Sequence, residues 1–283
     1  MPKRLKEALL KFLSPDEAAH VYNSYDVVGD IAILRLTEKS EKQGNIIAKT
    51  VMDIHKNVKT VLAQTSPVHG EFRLRKLKYI AGENKTVTVH RESGCLFSVD
   101  VEKCYFSPRL FYERLRIARL VKAGEVVVNM FAGVGCFSII IAKHSQASKV
   151  YSIDINPVAI QFMEKNVRLN RVFGRVIPLF GDAKEVVKEK LCGKADRVLM
   201  PLPEKAYEYL PYAVLAIKKP EGQIHYYEFE HAKKGEDPIS KVKEKAIKRL
   251  SHLGVAFEIP FGRVVRTTGP NWHQVVLDIH IHK

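Results

Sequence analysis

Residues 126–138 constrain this chain more than any other stretch: Val126-Val127-Val128-Asn129-Met130-Phe131-Ala132-Gly133-Val134-Gly135-Cys136-Phe137-Ser138. A β-branched apolar run enters a Gly-x-Gly turn, and a helical pattern follows. Gly133 and Gly135 allow a tight turn and a close approach of backbone to ligand, and the helix start offers free N–H groups. A chain with this strand–turn–helix is expected to build an open α/β sheet of parallel strands that binds ligands at the strands' carboxyl ends.

Two further strand ends support a nucleotide site. Strand Val150-Tyr151-Ser152-Ile153 ends at Asp154, 19 residues after Gly135, where a carboxylate accepts from both ribose hydroxyls. Asp154 as a helix cap is the competing reading, but Asn156 before Pro157 is the better cap. Phe180-Gly181-Asp182-Ala183 ends the next strand, and Asp182 there suits an adenine amine. Ser138 stands where a dinucleotide fingerprint has its third glycine, which weighs against hydride-transfer cofactors.

The 283 residues divide by texture. Residues 1–106 read as a small α+β domain: a helical opening, a strand-like run Val27 to Leu36, a helix Ile46 to His55, and strands Val58 to Ala63, Lys85 to His90 and Cys95 to Val101. The last two are joined as a hairpin by Arg91-Glu92-Ser93-Gly94. Residues 107–283 alternate helices with short apolar strands, which predicts a doubly wound sheet closed by two edge strands over 255–265 and 274–282.

Charge narrows the partners. Lys and Arg number 46 against 31 Asp and Glu, a net charge of +15 that suits a polyanion such as nucleic acid. Apolar runs are too short to span a bilayer, and Met1-Pro2-Lys3-Arg4-Leu5-Lys6 lacks the pattern of a signal peptide, so a cytoplasmic location is expected. Cys95, Cys104, Cys136 and Cys192 include no C-x-x-C pair and read as reduced thiols. His280 and His282 share one strand face, but with no third ligand near in sequence no metal is expected.

The cofactor blocks together resemble the class I S-adenosylmethionine (SAM) transferases, with a Rossmann-like sheet. Asn129 departs from that family's acidic residue and puts the methionine-ammonium contact in doubt. The segment Tyr105-Phe106-Ser107-Pro108-Arg109-Leu110-Phe111-Tyr112-Glu113-Arg114-Leu115-Arg116-Ile117 resembles one preceding the sheet in the tRNA guanine-N1 methyltransferases. It equally resembles their sister family, the wybutosine-synthesising aminocarboxypropyltransferases. Gly82-Glu83 and His90 to Gly94 extend the likeness over about residues 70–282. The resemblance implies SAM as donor, with Ser107 and Arg114 at its methionine end and Phe131, Gly133, Gly135, Asp154, Asp182 and Ala183 around the nucleoside. It also implies a tRNA acceptor, expected to be tRNA-Phe.

The sister families differ at the fourth strand. The methyltransferases carry Asn-Leu-Pro; this chain has Met200-Pro201-Leu202-Pro203-Glu204. Proline lacks both a side-chain donor and a backbone N–H, so Pro201 cannot position a guanine edge as Asn does. The expectation is therefore transfer of the 3-amino-3-carboxypropyl group to a tricyclic wyosine precursor, with guanine-N1 methylation and a non-catalytic tRNA-binding role as alternatives. Glu204 is the candidate general base, against a solvated loop charge or a helix N-terminal acid. Arg73, Arg75, Lys76 and Lys78 lie on Phe72 to Tyr79, a basic–apolar alternation read as a strand facing phosphates; Arg109, Pro201 and Pro203 complete the RNA-side candidates. Trp272 is read as a base-stacking or an edge-packing residue.

Overall fold

The computed structural model describes residues 5–283, so Met1 to Arg4 of the N-terminal reading lie outside the described residues. The chain forms two compact units, the first ending at Arg109 and the second running from Leu110 to Lys283.

The first unit contains α1 (Leu5–Leu9), α2 (Pro15–Ala19), β1 (Asp26–Val28), β2 (Ile31–Arg35), α3 (Gly44–Ile54), β3 (Thr60–Gln64), β4 (Leu77–Gly82), β5 (Val87–Glu92) and β6 (Cys95–Asp100). Strands β1-β2-β3-β4 form one sheet in that order, and β5 with β6 a separate hairpin. Helix α3 carries the crossover between the parallel β2 and β3. Its Ile47, Ala48 and Val51, one helical stripe, bury against Ala32, Leu34 and Val61. Two expectations change here. The run Val27 to Leu36 is not one strand, because Gly29-Asp30 turns it into the β1–β2 hairpin. Gly29 has φ +58°, and a Cβ there would lie 2.2 Å from the Thr88 hydroxyl, so only glycine fits the turn. The run Phe72 to Tyr79 is strand only from Leu77; Arg73 sits at φ 54° in a turn closed by Arg73 N–H donating to Gly70 O.

The second unit contains α4 (Phe111–Leu120), β7 (Val126–Asn129), α5 (Cys136–His144), β8 (Lys149–Asp154), α6 (Pro157–Leu169), β9 (Val176–Phe180), α7 (Ala183–Val186), β10 (Arg197–Met200), α8 (Pro203–Ala216), β11 (Glu221–His231), α9 (Pro238–His252), β12 (Ala256–Gly269) and β13 (Trp272–His282). Its seven strands run in the order β12-β13-β11-β10-β7-β8-β9. The five from β11 to β9 are parallel, and β13 and β12 close one side as an antiparallel hairpin. The order reverses between β7 and β10, which opens a crevice at their carboxyl ends. Buried Val128, Met130, Val198, Met200, Ile224 and Leu277 anchor these strands in one core with Ala206, Leu210 and Ala213 of α8. This is the doubly wound sheet expected from the sequence, with α8 an element the periodicity did not reveal.

Candidate cofactor and acceptor site

The turn after β7 is built around two constraints. Gly135 caps α5 at φ +90°, and a Cβ there would meet Met163 Cγ at 2.8 Å. A side chain at this position would therefore force α6 away from the turn. Gly133 N–H donates to Asp154 Oδ2 at 2.6 Å, tying the turn to the end of β8. The other carboxylate oxygen of Asp154 accepts from Asn156 N–H at 2.9 Å. Asn156, not Asp154, caps α6, accepting from Val158 N–H at 3.0 Å. Burial pushes the Asp154 carboxyl above its ordinary range, and the two N–H donors pull it back. Each of its oxygens keeps a lone pair for a ligand hydroxyl.

Asp182 ends the neighbouring β9 and caps α7 through Lys184 N–H at 2.9 Å. Tyr209 OH donates to both its oxygens, at 3.0 and 3.1 Å. The Tyr209 ring also meets Phe131 edge to face, centroids 5.2 Å apart. Tyr209 thus links the β7 turn, the β9 end and α8. It escaped sequence reading because α8 itself did, and a tyrosine in an unassigned stretch carries no signal. Ala183 is buried beneath the same corner. The strand ends therefore bring together Phe131, Gly133, Gly135, Asp154, Asp182 and Ala183. A ribose-accepting carboxylate, a second carboxylate one strand away and a cradle too tight for a Cβ fit an adenosine-bearing donor such as SAM.

Asn129 is fully buried and donates Nδ2–H to Ser138 Oγ at 3.1 Å, while Ser152 Oγ–H donates to the same oxygen at 2.7 Å. Its oxygen accepts from Phe131 N–H at 3.4 Å, so the amide holds the turn from within. Arg114 is buried on α4 with its guanidinium 5.8 Å from the Phe137 ring centroid. Ser107 is buried and belongs to the first unit. A 3-10 turn over Pro108–Leu110 separates it from α4, whose cap position Leu110 takes. Pro201 and Leu202 form the half-buried turn after β10, buried Pro203 starts α8, and Glu204 lies exposed in its first turn.

Arg116 of α4 joins a buried ion chain. It donates to Glu113 at 2.8 and 3.0 Å and to Asp278 at 2.7 and 3.1 Å. Glu113 also accepts from Tyr227 OH at 2.8 Å and from Arg263. Beyond Asp278 the chain continues through His225 Nδ1 at 2.6 Å to Arg197, which grips Glu125 at 2.8 and 3.0 Å. Burial opposes charge on Glu113 and Asp278, but their partners overcome it and hold both carboxyls below the usual range. Burial lowers His225 despite the Asp278 carboxylate beside it.

The RNA-side candidates of the first unit are mostly engaged within it. Arg73 stacks over Tyr105 at 4.4 Å, Arg109 donates to Asp26 at 2.7 Å, and Arg75 reaches the same Asp26 at 3.7 Å and Gln64 at 3.2 Å. Lys78 pairs with Glu41 at 3.1 Å, and Lys76 is exposed. In the second unit, Trp272 begins β13, half exposed, with its ring 5.3 Å from that of His231.

Comparison with known proteins follows this geometry. The TRM5/TYW2 methyltransferase domain matches residues 88–254, and the TYW2 N-terminal domain matches residues 5–86. The tRNA (guanine(37)-N(1))-methyltransferase Trm5b of Pyrococcus abyssi is 41% identical over 91% of this chain and 74% of its own length. The tRNA 4-demethylwyosine(37)-methyltransferase Taw21 of Saccharolobus solfataricus is 36% identical over 92% of this chain and 94% of its own. The tRNA(Phe) (4-demethylwyosine(37)-C(7)) aminocarboxypropyltransferase of Pyrococcus horikoshii is 33% identical over 99% of this chain and 97% of its own. Among solved structures, an aTrm5–tRNALeu complex superimposes with TM-score 0.84 at 36% identity, covering 100% of this chain and 79% of that one. P. horikoshii TYW2 bound to MeSAdo does so with TM-score 0.78 at 28% identity, covering 100% of both. With the strand-end carboxylates and the glycine cradle in place, these matches make the chain a member of the TRM5/TYW2 methyltransferase-domain family, a SAM-dependent tRNA-modifying enzyme.

Proposed function

We propose that this enzyme modifies the tricyclic guanosine derivative 4-demethylwyosine at position 37 of tRNA-Phe, and that the group transferred from SAM is the methyl. The observation that carries the acceptor is Pro201 at the turn after β10, on the crevice beside the β7 turn. Proline there offers no donor to a guanine edge, while a larger, flatter base needs shape and stacking more than that hydrogen bond. The methyl assignment rests on Taw21, which is 36% identical and matched nearly end to end.

Carbon–carbon bond formation would break the S–CH3 bond, leave the electron pair on sulfur as adenosylhomocysteine, and release the acceptor carbon's proton. The chain's part is positioning. Asp154, Asp182 and the Gly133–Gly135 turn fix the nucleoside so that one sulfonium substituent lies in line with the acceptor carbon.

A second reading is the aminocarboxypropyl transfer expected from the sequence. The TYW2 N-terminal match over residues 5–86 and the end-to-end match to the P. horikoshii transferase favour it. SAM labelled separately in its methyl and carboxyl positions, incubated with tRNA-Phe bearing 4-demethylwyosine, decides between them. The methyl reading expects methyl label in the tRNA and adenosylhomocysteine as by-product. Carboxyl label in the tRNA with methylthioadenosine released would overturn it in favour of the second.

A further inference from the structure

The end of the sheet away from the strand-end crevice carries a cluster that the transferase chemistry does not use. His280 and His282 are two residues apart near the end of β13, where the fully buried Ile279 and Ile281 alternate with them and face the core. Both imidazoles therefore stand on the opposite, solvent-reached face, their ring centroids 4.4 Å apart. In sequence they lack a third ligand, but the fold supplies one. Glu221 begins β11 in register opposite His282, and its Oε2 lies 3.2 Å from His280 Nε2. One ligand atom from each of the three residues lies within 4.8 Å of the others.

We propose that Glu221, His280 and His282 form a binding site for a late first-row divalent cation, with Zn2+ as the ion of choice. Two imidazoles and one carboxylate suit Zn2+, and water would complete a tetrahedral shell. Ligand atoms at about 2.0–2.2 Å from zinc must stand roughly 3.4 Å apart. The present separations need a closure of about an ångström, within the rotamer freedom of side chains that reach solvent.

Of the nearby ammonium groups, Lys218 is paired with Asp196 and Lys283 Nζ donates to Ile217 O at 2.6 Å; Lys122 lines the same cleft and Lys219 lies two residues before Glu221. Glu258 of β12 stands in register opposite His280 and adds a carboxylate to that face. Glu221 and His280 also line an open cleft of about 670 Å³, which leaves room for water ligands. The ion would pin the start of β11 to the end of β13, adding to the backbone pairing and the Glu221–His280 contact there.

The test is calorimetric titration of EDTA-treated, untagged full-length chain with ZnCl2, in the wild type and in His280→Ala/His282→Ala, Glu221→Gln and Cys192→Ser variants. The expected result is one Zn2+ per wild-type chain, affinity at least tenfold weaker in Glu221→Gln, no binding at this site in the double variant, and unchanged binding in Cys192→Ser. Melting temperature should rise with Zn2+ in the wild type, less in Glu221→Gln, and not in the double variant. If the double variant fails to fold, Zn2+-induced shifts of the His280 and His282 imidazole resonances in the wild type give the same answer. Wild-type titration identical to that of the folded double variant, binding lost in Cys192→Ser, or unmoved imidazole resonances would each overturn the site.

Discussion

Two polar regions of the second unit are built from the same residue types and do opposite work. At the carboxyl ends of β8 and β9, Asp154 is held by two backbone N–H groups, and Asp182 by a backbone N–H, the Tyr209 phenol and the Lys184 ammonium at 3.5 Å. Along Glu113, Arg116, Asp278, His225, Arg197 and Glu125, every charge is answered by an opposite charge or an imidazole inside the protein. The first, open arrangement leaves acceptor capacity beyond its protein partners; in the second, closed on itself, the charges are paired with one another and brace the fold, although Glu125, Arg197, His225 and Asp278 also line a cleft. A charged residue therefore declares its role by what its neighbours leave unanswered. Arg116, adjacent in sequence to the cofactor-side candidates, falls on the closed side.

The largest effect should come from breaking the closed region. Glu113→Gln leaves Arg116 and Arg263 short of their carboxylate in a buried setting, which costs about 3–5 kcal/mol when one partner of a buried pair is removed. Urea denaturation should record that loss, and a change under 1 kcal/mol would show the chain to be solvated.

Acid should probe the same region. His225 has a lowered folded pKa, so the unfolded chain takes its proton first and stability begins to fall as pH drops below the ordinary histidine range. Asp278 and Glu113 also have lowered values; their contribution is complete above the ordinary carboxylate range and lost as pH falls through their folded values. Melting temperature should therefore fall steadily from about pH 6.5 downward, more steeply than in Asp278→Asn. A flat profile to pH 4 in the wild type would contradict the assignment.

The open region should respond in the reverse way. Asp154→Ala removes a ligand acceptor and should weaken SAM binding at least tenfold, from a charged-group hydrogen bond of about 1.5–3 kcal/mol, with the fold retained. Calorimetric affinity equal to wild type would assign Asp154 to bracing Gly133 alone.

The smallest effect separates the basic residues of the first unit. Lys76→Ala should weaken tRNA binding modestly and lower the salt slope by about one, as for a lost phosphate contact. Arg75→Ala, by contrast, should lower stability and leave the slope unchanged, since its guanidinium serves Asp26 and Gln64. Equal slopes for Lys76→Ala and wild type would remove Lys76 from the RNA surface.

Much of this was readable in the sequence, and the failures have physical causes. Strand–turn–helix blocks are local, so Gly133, Gly135, Asp154 and Asp182 announce themselves by spacing. Helix α8 did not, because Pro211 interrupts its pattern although Ala206, Tyr209, Leu210 and Ala213 still bury one stripe; with it went Tyr209. The run Phe72 to Tyr79 alternates like a strand, yet long-range partners, Tyr105 for Arg73 and Asp26 for Arg75, fix its first half as a turn. The Glu221–His280–His282 cluster was invisible for the same reason: its third member arrives only through the pairing of β11 with β13.

The strand-end site is proposed to serve a tricyclic base and not guanine. The most direct test is nucleoside mass spectrometry of two tRNA-Phe preparations, one carrying guanosine and one 4-demethylwyosine at position 37, each incubated with enzyme and SAM. The tricyclic nucleoside should gain a carbon-bound group while guanosine is converted far more slowly. Rapid formation of N1-methylguanosine with the tricyclic base untouched would contradict it.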